Sequence, residues 1–204
     1  MITTRKQSAA NRAISRAKPG PASGFSVVEL VIVTAVIFIL LGVGLPFFAR
    51  AYRDYQLDDA GTQVAGILKA TRLEAIRRNV PVNCVIQRAG NLTNIWADAN
   101  GDGIEQGTEP QILLSGTITL AEGGTVPGTG ALAAAVGVAA LTAVSPVAAA
   151  LNFDFRGAVN PAGVYAIYIN DLAPNGGYRA VILLPSGSVQ TWGASAAGVW
   201  RQIS

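Results

Sequence analysis

Residues 25–48 read FSVVELVIVTAVIFILLGVGLPFF, and Glu29 is the single ionisable side chain in that run. A helix rises about 1.5 Å per residue, so the run extends about 36 Å, enough to cross a bilayer. A secretory signal peptide has a shorter apolar stretch that ends at a small-residue cleavage site. This one leads instead into Arg50, Arg53 and Asp54. Ahead of it lie Arg5, Lys6, Arg12, Arg16 and Lys18, with no acid before Gly24. The positive-inside rule keeps that basic side cytoplasmic and sends the C-terminal part outward. At the centre of a membrane helix Glu29 would cost about 2.5 to 3.5 kcal/mol, so it must be paired or sit close to the interface. A carboxylate snorkelling from the helix end is the plain alternative.

Gly24-Phe25-Ser26-Val27-Val28-Glu29-Leu30, between a basic leader and a long apolar run, resembles the class III signal of type IV pilins and type II secretion pseudopilins. The resemblance implies that prepilin peptidase cuts between Gly24 and Phe25, that Phe25 is then N-methylated, and that the apolar helix stays in the mature subunit. It further implies that Glu29 meets the N-terminal amine of a neighbouring subunit. Opposite charges in a low-dielectric setting attract strongly and either one alone is penalised, so such a pair can set the register of packed helices. The expected organisation is a leader at 1–24, a transmembrane helix at 25–48, its amphipathic continuation at 49–79 and an extracytoplasmic β domain at 80–204.

Pro46, near Gly42 and Gly44, removes an intrahelical hydrogen bond and crowds the preceding turn, so a kink or loosened helix is expected there. A helix that ends at Pro46 with a new one beyond it is the alternative. After Arg50 the pattern becomes periodic: Leu57, Ala60, Val64, Ile67, Leu68, Thr71, Ala75 and Ile76 recur at spacings of three and four and mark one apolar face. Asp58, Asp59, Gln63, Lys69, Arg72, Arg77 and Arg78 are read as a mainly solvated opposite face, with Asn79 and Pro81 as the stop. The close of this helix, residues 71–79, running into Val80-Pro81-Val82-Asn83-Cys84-Val85, is similar to the helix-to-strand junction of the GspH/FimT group of minor pseudopilins. Thr71 stands where that group usually has alanine.

Short extended runs follow at 82–87, 94–97, 111–120, 151–155, 164–170, 178–184 and 188–192, separated by Gly- and Asn-rich breakers. They predict an α+β fold: a long N-terminal helix packed on an antiparallel two-sheet β domain. Residues 121–150 collapse to Ala, Gly, Val, Thr and Pro with no charge after Glu122, read as a loop or weakly ordered strand insertion. Gly137, Ser145, Pro146 and a scarcity of Leu, Ile and Phe argue against a second membrane helix.

The chain has 204 residues and a formal charge of +3. Without the five basic leader residues the balance turns to −2, so the body carries no electrostatic footprint for nucleic acid. There is no histidine, and Cys84 is the only cysteine. The commonest general base and transition-metal ligand are thus missing, and no intramolecular disulfide can form. No enzymatic activity is expected.

Asp98, Asn100, Asp102, Ile104 and Glu109 take the first, third, fifth, seventh and twelfth places of a calcium-loop pattern, with Gly103 at the sixth. Calcium is therefore a possible cofactor. The strand-like flanks and Glu105 at a usually apolar place favour a hairpin turn instead. Cys84 is expected to be a core thiol, and Trp96, Trp192 and Trp200 to pack in the core or at sheet edges.

The function so implied is a minor pseudopilin of a type II secretion system, single-pass in the bacterial inner membrane with its β domain in the periplasm. Expected partners are prepilin peptidase, other pilin or pseudopilin subunits and an inner-membrane assembly platform. The alternative is a minor pilin of a type IV pilus with a role in DNA uptake. Against DNA stands the C-terminal stretch 186–201, which holds one arginine where a phosphate track needs several.

Overall fold

The computed structural model describes Gly24 and residues 26–90, 92–174 and 176–204. The leader at 1–23, Phe25, and the turn residues Asn91 and Asn175 lie outside the described residues. The first element, α1 (Val27–Arg78), runs as helix through Pro46, so the alternative of two separate helices does not hold. By its contacts the chain divides into two compact units between Leu45 and Pro46. In the first unit the described helix is exposed on every side.

The second unit begins with the rest of α1, and here burial is one-sided. Leu57, Ala60, Gly61, Val64, Ala65, Ile67, Leu68, Thr71 and Ala75 are buried, which is the face expected from the periodicity. Ile76, expected on the same face, stays 43% exposed. The helix stops at Asn79, whose backbone takes the left-handed conformation at φ 55°. Val80 N–H then donates to Ala75 O and Asn79 N–H to Ile76 O, both at 3.3 Å, the paired capping bonds that close a helix at a residue with positive φ.

Eleven strands follow among the described residues. One sheet holds β1 (Val82–Ala89), β2 (Leu92–Asp98), β3 (Gln111–Leu114), β6 (Ala148–Phe153) and β7 (Val159–Asn160), in the order β3-β2-β1-β6-β7. The other holds β4 (Ile118–Ala121), β8 (Tyr165–Asp171), β9 (Tyr178–Leu183), β10 (Val189–Ala194) and β11 (Trp200–Gln202), in the order β11-β10-β9-β8-β4. Every pairing on these two paths is antiparallel. Off the path, the two-residue β5 (Thr142–Ala143) lies parallel to β8. The fold is thus α+β, as the sequence predicts. The single run expected at 111–120 is two strands, one in each sheet, because Gly116 turns the chain with φ 80°.

One core joins the buried stripe of α1 to the inner faces of both sheets, through Val82, Cys84, Ile86, Ile95 and Leu151 on one and Ile118, Ile167, Ile169, Val181 and Leu183 on the other. A second core lies on the opposite face of the β8–β9 sheet and gathers Ala121, Val126, Leu132, Ala166, Tyr168, Ala180, Ile182 and Trp192.

The segment 121–150 supplies much of that second core and is more ordered than a loop. It forms a 3-10 turn (Gly123–Thr125), the helix α2 (Thr129–Val136) and β5. Alanine favours helix, and Gly128 and Gly137, both left-handed, bound α2. Trp200 Nε1 donates to Pro127 O at 3.1 Å and ties the insertion to the last strand. The physical reason for the order is that β8 and β9 are apolar on both faces, and the outer face needs a cover. Leu132 is fully buried there. Leu132→Ala should therefore lower stability by about 3 kcal/mol in a urea titration, whereas a loss of less than about 0.5 kcal/mol is what a solvated loop would give.

Candidate functional site

Two features carry the expected chemistry: the start of α1 and the loop between β2 and β3. Glu29 sits in the first turn of α1, and Leu30 N–H reaches back to Ser26 O at 3.0 Å. A carboxylate in the first turn is favoured by the helix dipole. Gly24 is exposed, just ahead of the helix. Phe25, the residue expected to become the methylated terminus, lies outside the described residues. From Val27 onward the greasy side chains point outward without cover, Val27 at 77% exposure and Phe38 at 69%. One helix in the described chain, near its N-terminus, is long and apolar enough to cross a membrane.

Pro46 lies inside α1, where its missing N–H leaves one helical bond unmade.

The amphipathic half of α1 departs from a solvated polar face at two places. Arg179 on β9 is buried to 9% exposure, and its Nε donates to Asp58 Oδ1 at 2.5 Å. Arg72 is half-buried and donates to the carbonyl of Gly187 at 3.3 Å. There Gly157 and Gly187, both with positive φ, bring two turns against the Arg72 side chain. A Cβ on Gly157 would stand 2.9 Å from Arg72 Cγ. Spacing along the helix marks Asp58 and Arg72 only as polar; the fold shows that Asp58 pairs with a buried arginine and that Arg72 is half-enclosed by two turns.

At the end of α1, Glu74 accepts from Arg77 at 2.6 Å and from Arg78 at 2.5 Å. The Arg77 hydrogen bond, opposed by partial desolvation and aided by Arg78, pulls the Glu74 carboxyl from 4.5 to about 2. Arg78 also donates from Nη1 to Ala99 O at 2.9 Å, linking the helix end to the β2–β3 loop.

In that loop the two outermost expected donors are buried, Asp98 at 3% exposure and Glu109 at 8%. Asp98 Oδ1 accepts from Gly101 N–H at 2.8 Å and Oδ2 from Gly103 N–H at 3.1 Å. Gly101 and Gly103 both have positive φ, which lets the chain curl around the carboxylate. Glu109 Oε1 accepts from Ala99 N–H at 2.9 Å. Asn100, Asp102 and Ile104 are exposed. Asp102 accepts from Asn100 Nδ2 at 2.9 Å, Gln106 Nε2 at 2.7 Å and Ile104 N–H at 2.8 Å. Among the described residues no three Cys, Asp or Glu side chains converge on one point. The loop folds back on its own sheet, since Glu105 accepts from Asn94 of β2.

The other candidates have structural places. Cys84 is fully buried, and burial, opposed weakly by the Thr71 hydroxyl, pushes its thiol up to about 12. Trp96 and Trp192 are buried, and Trp200 packs on the second core with its ring 6.2 Å from Tyr168. A shallow groove of about 720 Å³ is lined by Asp54, Asp58, Arg179 and Arg201 among others. Its Arg179 is neutralised by Asp58, so it does not present the run of free cations that a phosphate backbone requires. Comparison with protein-family models, with curated proteins and with solved structures finds no match.

Two outcomes follow from these titrations. Glu74 has a folded pKa below its unfolded value, so its stabilising contribution is complete above about pH 4.5 and disappears as the pH falls toward about 2. The melting temperature of wild type should therefore drop toward that of Glu74→Gln as the buffer moves from about pH 6 to about pH 3, and a gap that stays constant would contradict the pairing. Cys84 should resist iodoacetamide at about pH 8 in the folded chain and react fully once unfolded, as read by intact mass.

Proposed function

We propose that the chain is a minor pseudopilin of a type II secretion system. In this reading prepilin peptidase removes the leader between Gly24 and Phe25, and Phe25 is N-methylated. The subunit then rests in the bacterial inner membrane as a single-pass protein with its β domain in the periplasm. An inner-membrane platform assembles it with other pilin-like subunits through the N-terminal helix.

The observation that carries the reading is the pairing of an uncovered apolar helix with one carboxylate in its first turn. An exposed apolar surface of this extent needs lipid or neighbouring helices around it. A lone acid in such surroundings needs a counter-charge. The N-terminal amine of a neighbouring processed subunit is a cation of the right sign at the matching end of a similar helix. The one-sided burial of α1 beyond Arg50 supports the same reading, because it lets a single helix serve as both membrane anchor and core element.

Intact mass of the membrane-resident protein should show a chain beginning at Phe25 with one added methyl group when the peptidase is active. Glu29→Leu should leave membrane insertion intact and reduce incorporation into sheared filaments about tenfold, the effect of losing little more than 1 kcal/mol of subunit contact. Retention of residues 1–24 in peptidase-positive cells, or unaltered incorporation of Glu29→Leu, would sink the proposal.

A further inference from the structure

We infer that the crevice between α1 and the β8–β9 connection holds the headgroup of a phospholipid that carries both a phosphate and a primary amine. The inference rests on the apolar helix spanning a membrane, and it is independent of leader processing and filament assembly.

The depth of the site follows from the sequence. The apolar run ends at Phe48, and Arg50 and Arg53 come within the next five residues, about 8 Å of helix rise. Among them Phe47, Phe48, Tyr52 and Tyr55 are all exposed, and the rings of Phe48 and Tyr52 stack with centroids 6.4 Å apart. Aromatic rings interleaved with long basic side chains at the end of a membrane-length helix suit the headgroup layer, where each ring meets the acyl boundary and each cation meets phosphate.

Beside these arginines lies a crevice of about 420 Å³, lined by Arg50, Arg53 and Asp54 of α1 and by Asp171 and Gly177 of the β domain, among others. Gly177 keeps its wall free of side chain, since a Cβ there would stand 3.0 Å from Ala194 O and 3.5 Å from Leu57 Cδ2. Two charges of each sign thus face one space. Arg50 and Asp54 are one helical turn apart, yet neither they nor Arg53 and Asp171 form an ion pair among the described residues. Asp171 is 7% exposed, and among the described residues its carboxylate accepts one bond, from Ala173 N–H at 3.0 Å. An enclosed carboxylate with acceptor capacity to spare favours a charged donor beside it.

Opposite charges that stay apart across a crevice match a ligand that bears both. The guanidinium forks of Arg50 and Arg53 suit phosphate oxygens, and Asp54 and Asp171 suit an ammonium group. A quaternary amine has no N–H to donate to Asp171. A headgroup without an amine sets its phosphate against two carboxylates with nothing between them. A lipid is favoured over a protein partner because the arginines sit where the apolar run gives out.

The test uses the full chain in vesicles of equimolar dioleoyl phosphatidylethanolamine, phosphatidylcholine and phosphatidylglycerol, re-extracted in mild detergent, with retained lipid read by native mass spectrometry. The ethanolamine lipid should be retained about fivefold over each of the others, and Arg50→Gln with Arg53→Gln should reduce its retention about tenfold. Asp54→Asn with Asp171→Asn should equalise the ethanolamine and choline lipids. Should Asp171→Asn fail to fold, Asp54→Asn alone, at an exposed position, must narrow the preference. Excess inorganic phosphate should leave the lipid in place; its displacement would assign the crevice to a free anion and overturn the inference. A chain that sodium carbonate strips from the vesicles defeats the membrane reading and this inference together. A chain that stays embedded but retains the three lipids equally, or retains the ethanolamine lipid undiminished without Arg50 and Arg53, defeats the inference alone.

Discussion

The β domain depends on one buried stripe. Leu57, Val64, Ile67 and Leu68 on α1 lie against strands of both sheets in a single core, and each such side chain contributes about 1.5 to 3 kcal/mol when fully buried. The two sheets have separate hydrogen-bond ladders, so the helix is the surface on which both close. Polar contacts then fix the register of that packing. Arg179 reaches Asp58 near one end of the stripe and Arg72 reaches the Gly187 carbonyl near the other. Sliding the helix by one turn would leave a buried guanidinium without its acid, a costly state.

That stripe was legible because it follows from one period. Leu57 through Ala75 at spacings of three and four has a single helical solution, and Asn79 with Pro81 marks where it stops. The strands were legible for the complementary reason, short β-rich runs between Gly and Asn. The split of 111–120 into β3 and β4 was less accessible, since Ser115-Gly116-Thr117 is a mild interruption and only the change of sheet shows that it is a turn. The exposure of Ile76 was hidden for the same reason: periodicity ranks a position by its face, while the nearby glycine turn at Gly157 decides what reaches it.

The segment 121–150 shows where composition misleads. Ala, Gly and Val suggest weak order because none brings much area to a core, yet α2 holds Leu132 with no exposure at all. The available signal lay elsewhere in the chain. Tyr165-Ala166-Ile167-Tyr168-Ile169 and Ala180-Val181-Ile182-Leu183 are apolar at both parities, whereas a strand with one solvated face alternates. Two such neighbours imply a cover on the outer face. The small residues then become an asset, because an alanine-rich helix can approach a sheet closely.

The candidate site was legible in a different measure at each end. At Glu29 the unusual residue is visible in the sequence itself, since a lone acid in a membrane-length apolar run is costly unless it is paired or lies near the interface. In the loop, the spacing of Asp98 to Glu109 serves a turn and a cation equally well, and the geometry is that of a turn, since Asp98 and Asp102 accept from the loop's own N–H groups and no three acids converge among the described residues. A solvated turn would leave Glu109 in water, at no cost. Instead the chain encloses it, satisfies one oxygen with Ala99 and leaves the other bare. Both acids therefore pose the same physical problem, a carboxylate placed where water is scarce. The cleft beside Glu109 is lined by Arg77 and Arg78 at the helix end, whereas the start of α1 offers Glu29 no such neighbour among the described residues.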